Sequence, residues 1–321
     1  MTSTATPTVD PGTVPQHVLR RVIDTALEED APWGDVTSET LIPADATATA
    51  TLGAREAGVL SGGAVVVAVM HAVDPTITVS LHHADGAPFA PGDVLATVSG
   101  PARSVLRAER VALNLVQRMS GIATATTRYV DAVSGTSARI VDTRKTTPGL
   151  RALERYAVRC GGGHNHRTSL SDAVLAKDNH LAVLLASGIG SGDAIRGARA
   201  RLGHTVHLEV EVDRLDQVEP VVAAGVDTIM LDNFTPADLV TGVGIVAGRA
   251  LVEASGGVSL ETVAAIAATG VDVISVGALT HSARALDLGL DIAVAVPAAA
   301  PPAVAGPSAV AATSAVAATS A

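Results

Sequence analysis

Residues 138–167 read ARIVDTRKTTPGLRALERYAVRCGGGHNHR, and the reading of this stretch decides the fold. Arg139 to Val141 is a short β-branched run with the character of a strand, and Asp142, Thr143, Arg144 and Lys145 follow where it stops. A helical segment over 150–159 comes next, then a glycine hinge at Gly161 to Gly163, then His164, Asn165, His166 and Arg167. Two clusters of cations brought together by a hinge suit a small polyanion, because a guanidinium grips a carboxylate or phosphate through two parallel hydrogen bonds. Taken alone, TRK is better read as a solvated loop; the downstream sequence tips the balance.

From Arg139 onward the rhythm is strand, loop, helix. Strands are expected at 139–141, 173–176, 206–212, 228–231, 250–253 and 271–276, with helices near 181–201, 215–224, 236–247, 260–269 and 282–288. Repeated βα units predict a parallel sheet, and their number suggests closure into a barrel, which periodicity alone does not settle. Upstream, apolar positions Val18, Val22, Ile23, Ala26 and Leu27 define a first amphipathic helix, and PWGDVTSETLIPADA is turn-rich. Short strands at 46–55, 58–60, 77–82 and 94–100, a helix over 63–71 and a hairpin-like DGAPFAPGD predict a small α+β domain. One long helical pattern over 103–127, interrupted at Ser120 and Gly121, connects the two. The expected organisation is a disordered 1–12, a first domain over 13–116, a barrel over 117–292, and a disordered Ala/Pro/Ser/Thr-rich tail over 293–321.

At 321 residues the chain buries a core without staples, and its single cysteine, Cys160, excludes an internal disulfide or a multi-cysteine metal site. A net charge of -10 with 2% aromatic residues argues against nucleic acid as a partner. No secretory signal opens the sequence and no apolar run is long enough to span a bilayer, so a soluble cytoplasmic protein without membrane contact is expected.

In α/β barrels chemistry collects where strands end. Here those ends deliver Arg144 and Lys145, then Lys177, Asp178 and Asn179, then Glu209 and Glu211, then Asp232 and Asn233, then Glu253 with Ser255, Gly256 and Gly257, then Val276, Gly277 and Ala278. The last two groups put small residues before expected helix N-termini, where backbone N–H groups and the helix dipole favour phosphate. Glu209 and Glu211 are two apart and share one face of a strand. Acidic groups beside Lys and Arg suit Mg²⁺, hydroxyls or developing positive charge, or form a structural ion-pair network. Cys160, His164 and His166 make neither a nucleophile pair nor a zinc site, and Cys160 reads as a small buried residue.

The runs ERVALNLVQRMSGIAT, DTRKTTPGLR, the glycines with HNHR, LAKDNH, EVEV, LDNF, SGGV and VGALTHSARALDLGLDI, with GDVTS at Gly34 to Ser38, closely resemble the quinolinate phosphoribosyltransferase family. The resemblance implies an α/β fold, with an N-terminal α/β sandwich followed by an incomplete, seven-stranded α/β barrel, in a homodimer whose active sites are shared. It implies transfer from phosphoribosyl pyrophosphate to quinolinate with decarboxylation, with Mg²⁺ as cofactor. It assigns Lys145, Glu211 and Asp232 to catalysis, with Glu211 and Asp232 near the metal. Thr143, Arg144, His166, Arg167 and Lys177 would bind substrate, joined by Arg110 from the partner chain. Ser255, Gly256 and Gly257, and Val276, Gly277 and Ala278, match the phosphate loops. The rivals are a related barrel phosphoribosyltransferase with another substrate and a non-catalytic anion or nucleotide sensor.

Overall fold

The computed structural model describes residues 11–295 apart from Ile189. The disorder expected over 1–10 and 296–321 lies outside the described residues. In chain order the first half holds α1 (Gln16–Asp30), α2 (Val36–Leu41), β1 (Thr47–Ala54), β2 (Gly58–Val59), α3 (Gly63–Val73), β3 (Thr78–Leu81), β4 (Pro88–Phe89), β5 (Val94–Pro101) and α4 (Ala102–Ala132). The second half holds β6 (Arg139–Val141), α5 (Arg151–Cys160), β7 (Val174–Ala176), α6 (Asp178–Ala186), α7 (Ser191–Arg201), β8 (Leu208–Val212), α8 (Val218–Ala223), β9 (Thr228–Asp232), α9 (Pro236–Val246), β10 (Leu251–Ser255), α10 (Val263–Ala267), β11 (Val273–Ser275), α11 (Ala278–His281) and β12 (Leu288–Ala295).

The first sheet is antiparallel, in the order β12-β1-β5-β3. Along β1 the side chains of Ala48, Ala50, Leu52 and Ala54 are buried and their neighbours are less so, the period-two pattern of a sheet with one covered face. Helix α2 lies within the segment whose composition predicts only turns; Asp35 caps it by accepting the N–H groups of Thr37 and Ser38 at 3.0 and 3.1 Å.

Helix α4 runs unbroken through Ser120 and Gly121, contrary to the expected interruption. Both residues serve contacts. The buried Ser120 hydroxyl accepts the Ser61 N–H and donates to the Ser61 carbonyl, and a Cβ on Gly121 would lie 1.9 Å from the Arg284 carbonyl oxygen. The expected domain division at 116/117 therefore falls inside one helix.

The second sheet is wholly parallel, in the order β6-β11-β10-β9-β8-β7. All five residues of β8 are buried, as befits a strand covered on both faces. Six strands form the ladders, one fewer than the seven the resemblance implies; beside them a lone bridge joins His164 to Val141, with the His164 N–H on the Ile140 carbonyl at 2.8 Å and the His164 carbonyl taking the Asp142 N–H at 3.1 Å. The HNHR turn thus lies along the free edge of β6. The glycines before it act as close-contact residues more than as a hinge. A Cβ on Gly161 would stand 2.4 Å from the Ala123 carbonyl oxygen, and one on Gly163 would stand 2.7 Å from Thr126 Cγ2. The end of α5 is pressed onto α4 there.

Three further expectations are corrected. The long helix near 181–201 is divided into α6 and α7. The helix near 260–269 shrinks to α10, so SGG does not lead directly into a helix. The segment over 282–288 is not helical; α11 ends at His281 and β12 begins at Leu288. Leu286, Leu288, Leu290 and Ile292 alternate with Asp287, Gly289 and Asp291, a strand period that pairs β12 with β1. The chain thereby returns to the first sheet through 288–295, a span that includes the start of the expected tail.

Candidate active site

A cavity of about 410 Å³ opens at the C-terminal ends of the parallel strands, lined by residues that include Arg144, Lys145, Arg167, Lys177, Glu211 and Asp232. It also gathers Thr143, His166, Glu253 and Ser255, so ten of the residues singled out from the sequence meet at one place. Gly256, Gly257, Val276, Gly277 and Ala278 are not on its wall, and Arg110, exposed on α4, stands apart from it. Gly256 has φ +89°, and a Cβ there would lie 2.2 Å from Asn233 Oδ1; its part is to let the loops after β9 and β10 interlock. A larger cavity of about 630 Å³ lies between α1 and α3, and it holds none of the residues gathered at the strand ends.

Sequence reasoning missed Leu175, Met230 and Ser275 on the wall. Each lies two residues before a rim position, at Lys177, Asp232 and Gly277, and strand residues two apart point the same way. Counting back from the rim would have found them. Register confirms the layering: Asp232 pairs with Ser255 and Met230 with Glu253 on neighbouring strands.

The cations are held close together and under-neutralised. Burial, and next the neighbouring Arg144, lower the hold of Arg167 on its proton. Arg144 Nε is buried without a hydrogen-bond partner, as are Ser275 Oγ, Glu253 Oε1 and Glu209 Oε1. Buried polar atoms are almost always paired, so four unpaired ones at and beside one cavity mark it as a place completed by a ligand. Lys177 Nζ contacts Glu211 Oε2, and Asn233 Nδ2 donates to Asp232 Oδ2 at 2.7 Å.

Asp142 folds the second cation cluster over the first. Its carboxylate, fully buried, accepts Arg155 Nη1 at 3.1 Å, the His166 N–H at 2.8 Å and Asn165 Nδ2 at 2.6 Å. Arg155 in turn donates to the carbonyls of Arg167 and His166. At the cavity wall, His166 Nε2 faces Glu209 Oε2 at 3.1 Å and Glu253 Oε2 at 3.4 Å. Burial works against a charged ring, but the two carboxylates outweigh it and raise the proton affinity of His166 to about 10. Nδ1 accepts the Arg167 N–H at 2.7 Å, which places a ring proton on Nε2, facing the two carboxylates, and burial raises the carboxyl of Glu209. His166, Glu209 and Glu253 are spaced for a metal, yet a ring that accepts at Nδ1 and donates from Nε2 has no lone pair for one. Cys160 is buried and its thiol is pushed up to about 11 by that burial, which removes it as a nucleophile.

An open parallel barrel with a cation-rich, carboxylate-bordered cavity at its strand ends defines an α/β-barrel enzyme for small polyanions. Two family models match the chain: the quinolinate phosphoribosyl transferase N-terminal domain over residues 35–120 and its C-terminal domain over residues 122–291. A Mycobacterium leprae nicotinate-nucleotide pyrophosphorylase [carboxylating] is 47% identical over 280 residues, covering 85% of this chain and 96% of its own. A Bacillus subtilis protein described as a probable nicotinate-nucleotide pyrophosphorylase [carboxylating] is 40% identical over 275 residues, covering 85% and 93%. The crystal structure of NadC from Streptococcus pyogenes superposes with a TM-score of 0.84 at 38% identity, over 89% of this chain and 100% of that one. The chain belongs to the quinolinate phosphoribosyltransferase family.

Proposed function

We propose that the strand-end cavity is where this chain joins quinolinate to the phosphoribosyl group of phosphoribosyl pyrophosphate, releasing pyrophosphate and CO₂ and leaving nicotinate mononucleotide for NAD synthesis. Family membership carries the reaction. One observation carries its placement: Arg144 and Arg167 face one cavity with Arg144 Nε unpartnered. Two guanidiniums held together want a dianion, and quinolinate is a dicarboxylate. The clamp takes its charge from these arginines and its shape from His166, whose ring nitrogens are both engaged, while Thr143 borders it.

Lys145 faces the reacting centre, and Lys177 neutralises anionic charge beside Glu211. As pyrophosphate leaves, oxocarbenium-like charge grows on the ribose, and the carboxylates of Glu211 and Asp232 stabilise it. The quinolinate ring nitrogen then attacks, and the resulting pyridinium draws electrons from the 2-carboxylate, so CO₂ departs and the ring carbon takes a proton. The cations stabilise the carbanion on the way, and no enzyme nucleophile is needed. Mg²⁺ fits Glu211 and Asp232, because one oxygen of each is engaged by Lys177 or Asn233 and the other is left for a hard cation. When bound it supplies charge neutralisation to the pyrophosphate. Ser255 on the wall, with the loops of Gly256 and Gly257 and of Val276 to Ala278 beyond it, is the proposed seat of the 5′-phosphate.

Arg110 completes the clamp across a homodimer. It is exposed on α4 and does not line its own chain's cavity, while Trp33, Val36 and Leu41 leave large apolar surface on the same domain for a partner to cover. No helix among the described residues is long and apolar enough to cross a membrane. The cytoplasm, where the reaction's substrates are soluble, is the proposed location, with neither nucleic acid nor membrane as partner. Calorimetric titration tests the clamp: quinolinate binds wild type and loses affinity about 100-fold in Arg144→Ala, whereas nicotinate binds both weakly. Equal affinity for the two acids would refute the clamp.

A further inference from the structure

Lys145 stands on a loop that leaves the sheet after Val141 and regains regular structure at Arg151. Beyond Asp142, and apart from local turns and Arg151, two buried side chains hold this loop. The Thr280 hydroxyl donates to the Lys145 carbonyl at 2.7 Å. Glu154 accepts the Thr147 N–H at 3.1 Å and the Thr147 hydroxyl at 2.7 Å.

Arg118 of α4 ties these holds together. Its Nε and Nη2 donate to Glu154 Oε1 at 3.1 and 2.9 Å, its Nη1 donates to the Ala283 carbonyl at 2.6 Å, and Nη2 also reaches the Thr280 carbonyl. Glu154 and Thr280 are 1% and 0% exposed, so neither exchanges its partners for water. The lysine stem lies against Gly277, where an added Cβ would stand 3.1 Å from Lys145 Cδ. None of Arg118, Glu154 and Thr280 lines the cavity.

We propose that Arg118, Glu154 and Thr280 are positioning residues that set where the Lys145 ammonium stands in the cavity. The proposal rests on the reading of Lys145 as the group facing the reacting centre. An ion pair that served stability alone would need no hydroxyl on the Lys145 carbonyl, nor a carboxylate capping the loop two residues later. Misplacing a reacting group by about 1 Å can cost about 100-fold in rate.

Thr280→Val removes the single donor at nearly constant shape. Turnover should fall about tenfold, while the KM of each substrate stays within about twofold and the melting temperature is unchanged. Thr280→Ser should restore the rate. On a Lys145→Ala background, Thr280→Val should cost nothing further, because its effect passes through the missing ammonium. Wild-type turnover in Thr280→Val, or the same loss on both backgrounds, overturns the proposal. Should Thr280→Val fail to fold, Arg118→Lys in the same cycle gives the decision. A Lys145→Ala protein with near-normal turnover would remove the reading of Lys145 itself, and the proposal with it.

Discussion

Arg155 and Asp142 form an ion pair at 3.1 Å whose side chains are 7% and 0% exposed. It joins α5 to the end of β6, and through Asn165 and the His166 N–H it fastens the HNHR turn beside the TRK loop. A carboxylate so deep is costly unless its donors are present, and here a guanidinium, a side-chain amide and a backbone N–H all serve it.

That pair gives turnover an acid limb. Burial pushes the Asp142 carboxyl from its ordinary 3.8 up to about 6, with Arg155, the His166 N–H and Asn165 pulling it back. A folded value above the unfolded one means this group's contribution to stability is complete below about pH 4 and is lost as pH rises through about 6, so acid does not unfold the protein through Asp142. Protonation does remove an acceptor from the turn. Turnover should therefore drop below about pH 6 with circular dichroism unchanged, and Asp142→Asn, though slower, should lack that limb. An identical limb in the variant would refute the assignment.

Lys145→Ala should lower turnover about 100-fold or more with the fold intact. Near-normal activity in a protein with a wild-type melting curve would contradict its role at the reacting centre.

Mixing Arg110→Ala with Lys145→Ala protomers should recover partial activity, because one site of each heterodimer then holds an intact set. Two inactive homodimers that stay inactive in verified heterodimers would count against a shared site.

Gly161→Ala puts a methyl group 2.4 Å from the Ala123 carbonyl oxygen, where two helices meet and neither backbone can yield cheaply. A loss of about 1–3 kcal/mol in denaturant unfolding is expected, with turnover per folded molecule nearly unchanged. Wild-type stability would show that the helices separate more readily than their contact implies.

The parallel strands and their rim were legible because buried strands are short β-branched runs and their ends are charged, as at Arg139 to Lys145 and Thr228 to Asn233. What escaped was set by distant contacts. Gly121 reads as a helix break, yet its missing Cβ admits the Arg284 carbonyl, a partner more than 160 residues away along the chain. Leu286 to Ile292 alternate as a strand, but the preceding THSARAL suggested a helix that would run on. Asp35 caps a helix of only six residues, too short for apolar periodicity to reveal. Arg118 and Glu154 look like ordinary members of amphipathic helices, and only the folded chain shows them meeting under the Lys145 loop.

The most direct test of the account is to measure pyrophosphate and CO₂ release from phosphoribosyl pyrophosphate with Mg²⁺, using quinolinate and then nicotinate as acceptor. The paired arginines predict equal amounts of both products from quinolinate and turnover lower by about 100-fold or more with nicotinate, which lacks the second carboxylate. Comparable turnover of nicotinate, or pyrophosphate release from quinolinate without CO₂, would contradict the dicarboxylate clamp.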